Sequence, residues 1–243
     1  MSSSSLVSVV IPAYNYGKYI TETIDSVLAQ QYTNIEIVVI DDGSSDNTAA
    51  VVASYGDKVR YIYQENRGLS AARNAGMQQA QGDYIVFCDA DDKLHPDFIA
   101  RTMKALNTHS DAAFAYTQQQ YFEASNDVTK FPPYNLERLK QGNFIPACVL
   151  FRSSIIRNYA YDTHFMSWED WDMYLTLAEH GLHGVLVDEP LVLYRKHAHD
   201  KSMLDRFAEH KKRDMLRRIR YKHWRLYGLA ETFRFTLWYW RSH

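Results

Sequence analysis

Cysteine is scarce in this chain, with two residues in 243, Cys88 and Cys148. They lie far apart, each within an apolar run, and neither falls in a metal-ligand spacing. That excludes a disulfide framework or a zinc ribbon and reads as core thiols in a reducing compartment. Glycine and proline, at 10 and 6 residues, are too few for a collagenous or low-complexity chain. No apolar run approaches the ~20 residues of a membrane-spanning helix. Residues 1–5 lack the basic and apolar regions of a secretion signal, so the expectation is a cytoplasmic protein. Neither Gly-x-x-x-x-Gly-Lys-Ser/Thr nor Gly-x-Gly-x-x-Gly follows the first apolar run, so the P-loop and dinucleotide fingerprints are both missing.

Charge is present but unevenly placed. The net value of −2 hides an acidic body, with 15 Lys and Arg against 25 Asp and Glu over residues 1–200. The tail, residues 201–243, reverses this with 12 against 4. An acidic body speaks against nucleic acid as a partner.

Short runs rich in β-branched residues alternate with amphipathic stretches. Leu6 to Ile11, Ile35 to Ile40, Val59 to Tyr63 and Tyr84 to Cys88 read as buried strands. Between them, helical spacing of Ile20, Ile24, Val27 and Leu28, a stretch capped by Asp46, and Leu69 to Gln81 predict helices. Strand–helix alternation implies right-handed crossovers and an α/β fold with a Rossmann-like, mostly parallel, doubly wound sheet. The loops 12–17, 41–46, 64–73 and 89–92 then share one sheet edge, where ligands of such sheets bind. Further on, Pro96 to Leu106 reads as a helix, Ala112 to Tyr116 as a strand, residues 122–143 as an irregular insertion, and Ile145 to Phe151 and Gly184 to Leu193 as strands.

Three acids, Asp89, Asp91 and Asp92, end the fourth strand. Such a cluster suits a hard divalent cation, Mn²⁺ or Mg²⁺, shared with a phosphate ligand, or else a solvated acidic turn. Asp42, after the second strand, faces the same crevice, either on a nucleoside or as a turn residue. Arg67 or Arg73 could neutralise a diphosphate. At Ser167 to Leu175, acids and tryptophans mix at the start of a helix that Gly181 stops. Glu169 and Asp170 there are either dipole-favoured helix-start residues or a desolvated general base. Asp172 is a second candidate base. His197, with His199 beside it, could face a metal or diphosphate from a closing loop.

In order and spacing, several segments together resemble the family-two glycosyltransferases of the GT-A fold. They are Val9 to Asn15, Glu36 to Ser44, Asn66 to Asn74, Asp89-Ala90-Asp91-Asp92, Trp168-Glu169-Asp170-Trp171-Asp172 and Tyr194-Arg195-x-His197. The resemblance covers about residues 6–202. It implies a catalytic domain over 1–202, with a nucleotide-sugar half (1–92) and an acceptor half (93–202), followed by a helical extension over 203–243. It assigns the nucleotide sugar to Pro12, Ala13, Tyr14, Asn15, Asp42, Arg73, Asp89 and Ala90. The metal falls to Asp91, Asp89 and His197. Asp170, supported by Glu169, becomes the base of an inverting transfer. The implied donor is a nucleoside-diphosphate sugar, foremost a UDP-sugar, and the acceptor a saccharide or lipid-linked saccharide. A catalytically inactive nucleotide-sugar-binding module and a nucleotidyltransferase are the alternatives.

The tail lies beyond the resemblance. Lys211-Lys212-Arg213 and Arg217-Arg218-x-Arg220 alternate with apolar residues, and Trp224, Phe233, Phe235 and Leu237 to Trp240 follow. Basic amphipathic helices with dense aromatics suit the headgroup region of an anionic membrane, which would place the protein on the inner face of the cell membrane. The alternative is that the helices pack on the domain or form a dimer.

Overall fold

The computed structural model describes residues 5–197, 209–229 and 232. In chain order the strands of the first half are Val7–Ala13 (β1), Ile35–Asp41 (β2), Arg60–Tyr63 (β3) and Tyr84–Phe87 (β4). The helices between them are Ile20–Leu28 (α1), Thr48–Ala53 (α2) and Leu69–Gln79 (α3). All four strands run parallel in the order β3-β2-β1-β4. Side chains alternate along a strand, so each serves two cores. Val7, Val9, Ile11 and Ala13 join Ile20, Ile24 and Val27 of α1 on one face. Val10, Val38, Ile40 and Phe87 meet Ala72 and Met77 of α3 on the other. The register pairs Ala13 with Asp41 and Asp41 with Tyr63. The strand ends are therefore level, and the loops after them share one edge.

Helix α3 sits close on the sheet because Gly76 has no side chain. A Cβ there would lie 2.2 Å from Cγ1 of Val10 and 3.2 Å from Cγ1 of Ile40. Gly76→Ala is expected to destabilise the fold by about 1–3 kcal/mol through overpacking. A thermal melt checks this, and an unchanged midpoint would contradict it.

The second half contains Lys93–Leu94 (β5), Phe98–Thr108 (α4), Phe114–Glu123 (β6), Val128–Thr129 (β7), Leu136–Gln141 (α5) and Leu150–Arg152 (β8). Ser153–Ile156 (α6), Glu169–Glu179 (α7), Gly184–Lys196 (β9), Glu209–Lys222 (α8) and Trp224–Tyr227 (α9) complete it. Among the described residues one sheet runs β3-β2-β1-β4-β8-β6-β9-β5, with β7 paired to β6. The parallel order ends at β4. Strand β8 enters antiparallel between β4 and β6, and β5 pairs antiparallel with β9, so this half is mixed.

Three expectations are revised here. Strand β6 runs seven residues past Tyr116, into the stretch read as irregular, because β7 and β9 pair along its polar Gln118-Gln119-Gln120 run. The rest of 122–143 includes α5 rather than being wholly irregular. The strand read over Ile145 to Phe151 shrinks to Leu150–Arg152. Pro146 has no N–H for a ladder, and its carbonyl accepts instead from the Tyr174 hydroxyl at 2.6 Å.

The helical extension is present as α8 and α9, and it packs on the domain. Ile219 and His223 are fully buried, Leu216 and Leu226 pack on the α7 core, and the Tyr227 hydroxyl donates to the Lys140 carbonyl at 2.8 Å. No described helix is long and apolar enough to cross a membrane. His199, and the aromatic cluster of Phe233, Phe235 and Leu237 to Trp240 that carries the membrane expectation, lie outside the described residues.

Candidate active site

The first two loops are tied by Asn15, which takes a left-handed backbone (φ 59°). Its Oδ1 accepts from the N–H groups of Ser45 (2.8 Å) and Asp46 (3.3 Å), and its own N–H donates to Ser44 Oγ at 2.8 Å. Pro12 and Ala13 are buried inside β1, and Tyr14 beyond them is half exposed. Asp42 is buried and holds the third loop. Its Oδ1 accepts from Gln64 Nε2 (2.6 Å) and the Arg67 N–H (2.9 Å), and its Oδ2 from the Gly68 N–H (2.8 Å). Gly68 sits at φ +86°, which admits the turn into α3. Asp42 thus shapes the cleft by fixing a loop, and Oδ2 keeps acceptor capacity for a ligand.

At the end of β4 the three acids have three environments. Ala90 is buried between Asp89 and Asp91. Asp92 is also buried, and its Oδ1 accepts from the Arg195 N–H at 2.9 Å. Burial, then the charges of Asp89 and Asp91, hold its carboxyl well above the usual range. Asp91 Oδ2 lies 3.0 Å from His197 Nε2. Burial raises the Asp91 carboxyl, with Asp89 adding to the rise and His197 opposing it. The hydroxyls of Tyr16 and Tyr194 are likewise pushed up by burial and by these acids. Three carboxyls thus crowd one end of the cleft, and their mutual repulsion adds to the effect of burial.

Arg195, to which the sequence reading gave no role, is the cation that organises this end. Its guanidinium is buried between the rings of Tyr19 (4.8 Å) and Phe122 (4.4 Å). It donates to the Asp91 carbonyl at 2.8 Å and pairs with Glu123 and with Glu22, the latter at 3.1 Å. Its place in Tyr194-Arg195-x-His197 was the only signal in the sequence.

A second guanidinium joins the two halves. Arg73, on α3, is 1% exposed. It donates from Nη2 to Asp89 Oδ1 at 3.0 Å and from Nη1 to Glu169 Oε1 at 2.6 Å. Burial works against its charge, but Asp89 and Glu169 outweigh that and hold it firmly protonated. Arg73 thus bridges two carboxylates 80 residues apart in the chain.

Helix α7 begins at Trp168, whose φ of 64° is strained for a bulky residue. Such strain persists only where the surroundings over-determine it. The turn presents Glu169 to Arg73 and leaves Asp170 beside it. Asp170 Oδ1 accepts from the Trp171 N–H (2.7 Å) and Oδ2 from Asn143 Nδ2 (3.0 Å). Burial and then the Glu169 charge push the Asp170 carboxyl up to about 7, with Arg73 opposing. A carboxylate poised near neutrality suits proton abstraction. Asp172 points elsewhere, to Lys222 (2.7 Å) at the end of α8 and to His223 (2.9 Å) just after it, so it braces the fold.

Among the described residues no three His, Cys, Asp or Glu side chains form a ready metal cage. Asp91 and His197 meet each other, and Asp89 is a third exposed beside them. Such a partial set of oxygen and imidazole donors fits a hard cation that completes its shell with phosphate oxygens. A separate groove of about 670 Å³, lined by Tyr134, His183, Lys130 and Asp188 among others, includes none of these site residues. It lies at the starts of β6 and β9, the opposite sheet edge.

The sequence model described as glycosyl transferase family 2 matches residues 8–165. An uncharacterized glycosyltransferase of Rickettsia typhi is 32% identical over 218 residues, covering 81% of this chain and 65% of the relative. Chondroitin synthase of Escherichia coli is 31% identical over 187 residues, 72% of this chain and 27% of that protein. The chain thus spans less than two thirds of these relatives' length. Among solved structures, Staphylococcus aureus TarS 1–349 in complex with UDP-GlcNAc superposes with a TM-score of 0.75 at 20% identity, covering 88% of this chain and 65% of that one. A mannosyltransferase of Pyrobaculum calidifontis in complex with GDP-Man and Mn²⁺ gives 0.65 at 18%, covering 92% and 64%. These likenesses establish the α/β fold with a mixed sheet.

Proposed function

The chain belongs to the family 2 glycosyltransferases, and on that premise we propose that it moves a sugar from a nucleoside-diphosphate sugar to an acceptor hydroxyl, with Asp170 as general base. The observation that carries this is the Arg73 bridge, which sets the donor-side acids after β4 against the acceptor-side acids of α7. One bound sugar can then meet both groups.

The chemistry divides between them. Asp42 and Asn15 hold the loops around the nucleoside. Asp91, Asp89 and His197 would hold a divalent cation, Mn²⁺ or Mg²⁺, which when bound supplies Lewis-acid stabilisation of charge on the departing diphosphate. Asp170 takes the proton from the acceptor hydroxyl as that oxygen bonds to the anomeric carbon. The bond to the diphosphate breaks on the opposite face, its electron pair leaves with the diphosphate, and configuration inverts through an oxocarbenium-like transition state. The UDP-GlcNAc and GDP-Man held by the two solved structures support a nucleotide sugar as donor. We read the acceptor as a saccharide or lipid-linked saccharide.

The test is nucleoside-diphosphate release from a panel of UDP- and GDP-sugars, with mixed saccharide acceptors and with Mn²⁺, Mg²⁺ or a chelator. Release from at least one donor, lost on chelation, is the expected result. Tight nucleotide binding with no donor turned over would instead favour an inactive binding module.

A further inference from the structure

We propose that helix α8 and His223, the residue just after it, brace the turn carrying the base, making Lys222 and His223 positioning residues for Asp170. This rests on the reading of Asp170 as base. It concerns a helix that lies wholly beyond the stretch matched by the family sequence model, which ends at residue 165.

The ties from α8 fall on both sides of the strained Trp168. On the near side, Arg218 Nη1 donates to the His164 carbonyl at 2.9 Å, and Lys222 Nζ donates to Asp162 Oδ2 at 3.0 Å. The same two cations lie over the Phe165 ring, 5.9 and 5.6 Å from its centre. On the far side, Lys222 Nζ also donates to Asp172 Oδ2 at 2.7 Å, and His223 Nε2 to Asp172 Oδ1 at 2.9 Å. A carboxylate only accepts, so His223 must carry its proton on Nε2.

The Asp172–His223 contact is sealed, while the Lys222 side chain stays 34% exposed. Asp172 is 1% and His223 0% exposed, and Ile219, one turn earlier, is equally buried in the core that holds Trp171 and Tyr174. Buried charge pairs are weakly screened and geometrically demanding, so they fix a position rather than merely adding adhesion. Burial works against the Asp162 carboxylate, yet the His164 contacts and the Lys222 ammonium hold it down to about 2, so Asp162 stays ionised at neutral pH.

From the body of the domain, the same turn is held by Asn74 on the Tyr161 backbone (2.8 Å for each of two bonds) and by Trp171 Nε1 on the Leu139 carbonyl (2.7 Å). Without α8 the ends of the turn, at residues 162–164 and 172, lose these ties. Trp168 can then relax from its left-handed conformation and carry Asp170 with it. The donor-side contacts of Asp42, Asp91 and Arg195 involve none of these residues. Among the described residues only the Arg73 bridge from Glu169 to Asp89 joins the turn to the donor-side acids, so transfer suffers more than donor binding does.

The experiment uses the full chain with Lys222→Met, Lys222→Arg, His223→Leu and His223→Gln. Each is assayed for transfer kcat, nucleoside-diphosphate affinity by titration calorimetry, and melting temperature. Lys222→Met and His223→Leu are expected to lower kcat about 10- to 100-fold, the scale of a small misplacement of a reacting group, with nucleotide affinity changing far less than kcat. His223→Gln, whose side-chain amide can still donate to Asp172, should restore much of the loss, as should Lys222→Arg. If His223→Leu does not fold, the Lys222 pair decides. Unchanged kcat with a lowered melting temperature, or nucleotide affinity falling in step with kcat, would overturn the brace. Asp170→Asn is run alongside: if it retains transfer, the base reading falls and the brace with it, whereas loss there with normal α8 variants overturns the brace alone.

Discussion

Asp170→Asn is expected to lower sugar transfer about 10²- to 10⁴-fold while leaving nucleoside-diphosphate affinity unchanged, the scale of removing a general base. Its carboxyl is held at about 7 by burial and by Glu169. In the wild type, kcat/KM should therefore rise with pH through about 7 as the base loses its proton. The same shift sets the sign of a stability effect. The ordinary value is 3.8. Between there and about 7 the folded chain binds more protons than the unfolded chain, so this group's contribution to stability falls as pH rises through that window. Asn cannot ionise. It does lose one of the two hydrogen bonds that Asp170 accepts from Trp171 and Asn143, but that loss is independent of pH. Melting temperature of the variant minus that of the wild type should therefore increase from about pH 5 to about pH 8. A flat difference would contradict the raised carboxyl, and retained transfer would contradict the base.

Arg73→Met should have the largest effect on the fold. The guanidinium is buried between Asp89 and Glu169, and removing it leaves two carboxylates facing each other with Asp170 close by. Deleting one partner of a buried ion network costs about 3–5 kcal/mol. In a chain of this size that is a fall in melting temperature of roughly 10 °C. The deficit should shrink at acidic pH, because protonating the acids relieves the repulsion that Arg73 had offset. Arg73→Lys is expected to rescue little, since one ammonium cannot span the two acceptors as Nη1 and Nη2 do. Full stability in Arg73→Met at about pH 8 would mean the bridge contributes nothing.

The first half of the molecule was legible because its signals are local. Runs such as Val7 to Ile11 and Ile35 to Ile40 are apolar and β-branched, and their level ends place Asp42 and Asp91 on one edge. The parallel order from β3 to β4 follows from the crossover helices. Beyond β4 the signals fade. Gln118-Gln119-Gln120 continues β6 with no apolar alternation, and β8 is set between β4 and β6 by pairing that no local pattern announces. The site divides in the same way. That Asp89 and Asp91 follow β4 and that Glu169 and Asp170 open α7 could be read from their surroundings in the sequence. That Arg73 ties Glu169 to Asp89, that Arg195 holds the Asp91 carbonyl, and that Asp172 turns away to Lys222 and His223 are contacts across 16 to 104 residues of chain. Sequence gives the partners' chemistry but not which of several carboxylates each cation will choose.

The central claim is that the acids after β4 bind the donor while Asp170 acts only in transfer. Titration of UDP and GDP in the presence of Mn²⁺ into Asp91→Asn and Asp170→Asn, each paired with its transfer rate, tests it most directly. Asp91→Asn is expected to lose the cation-dependent part of nucleotide affinity, whereas Asp170→Asn should bind as the wild type does and fail to transfer. Equal loss of nucleotide affinity in the two variants would contradict it.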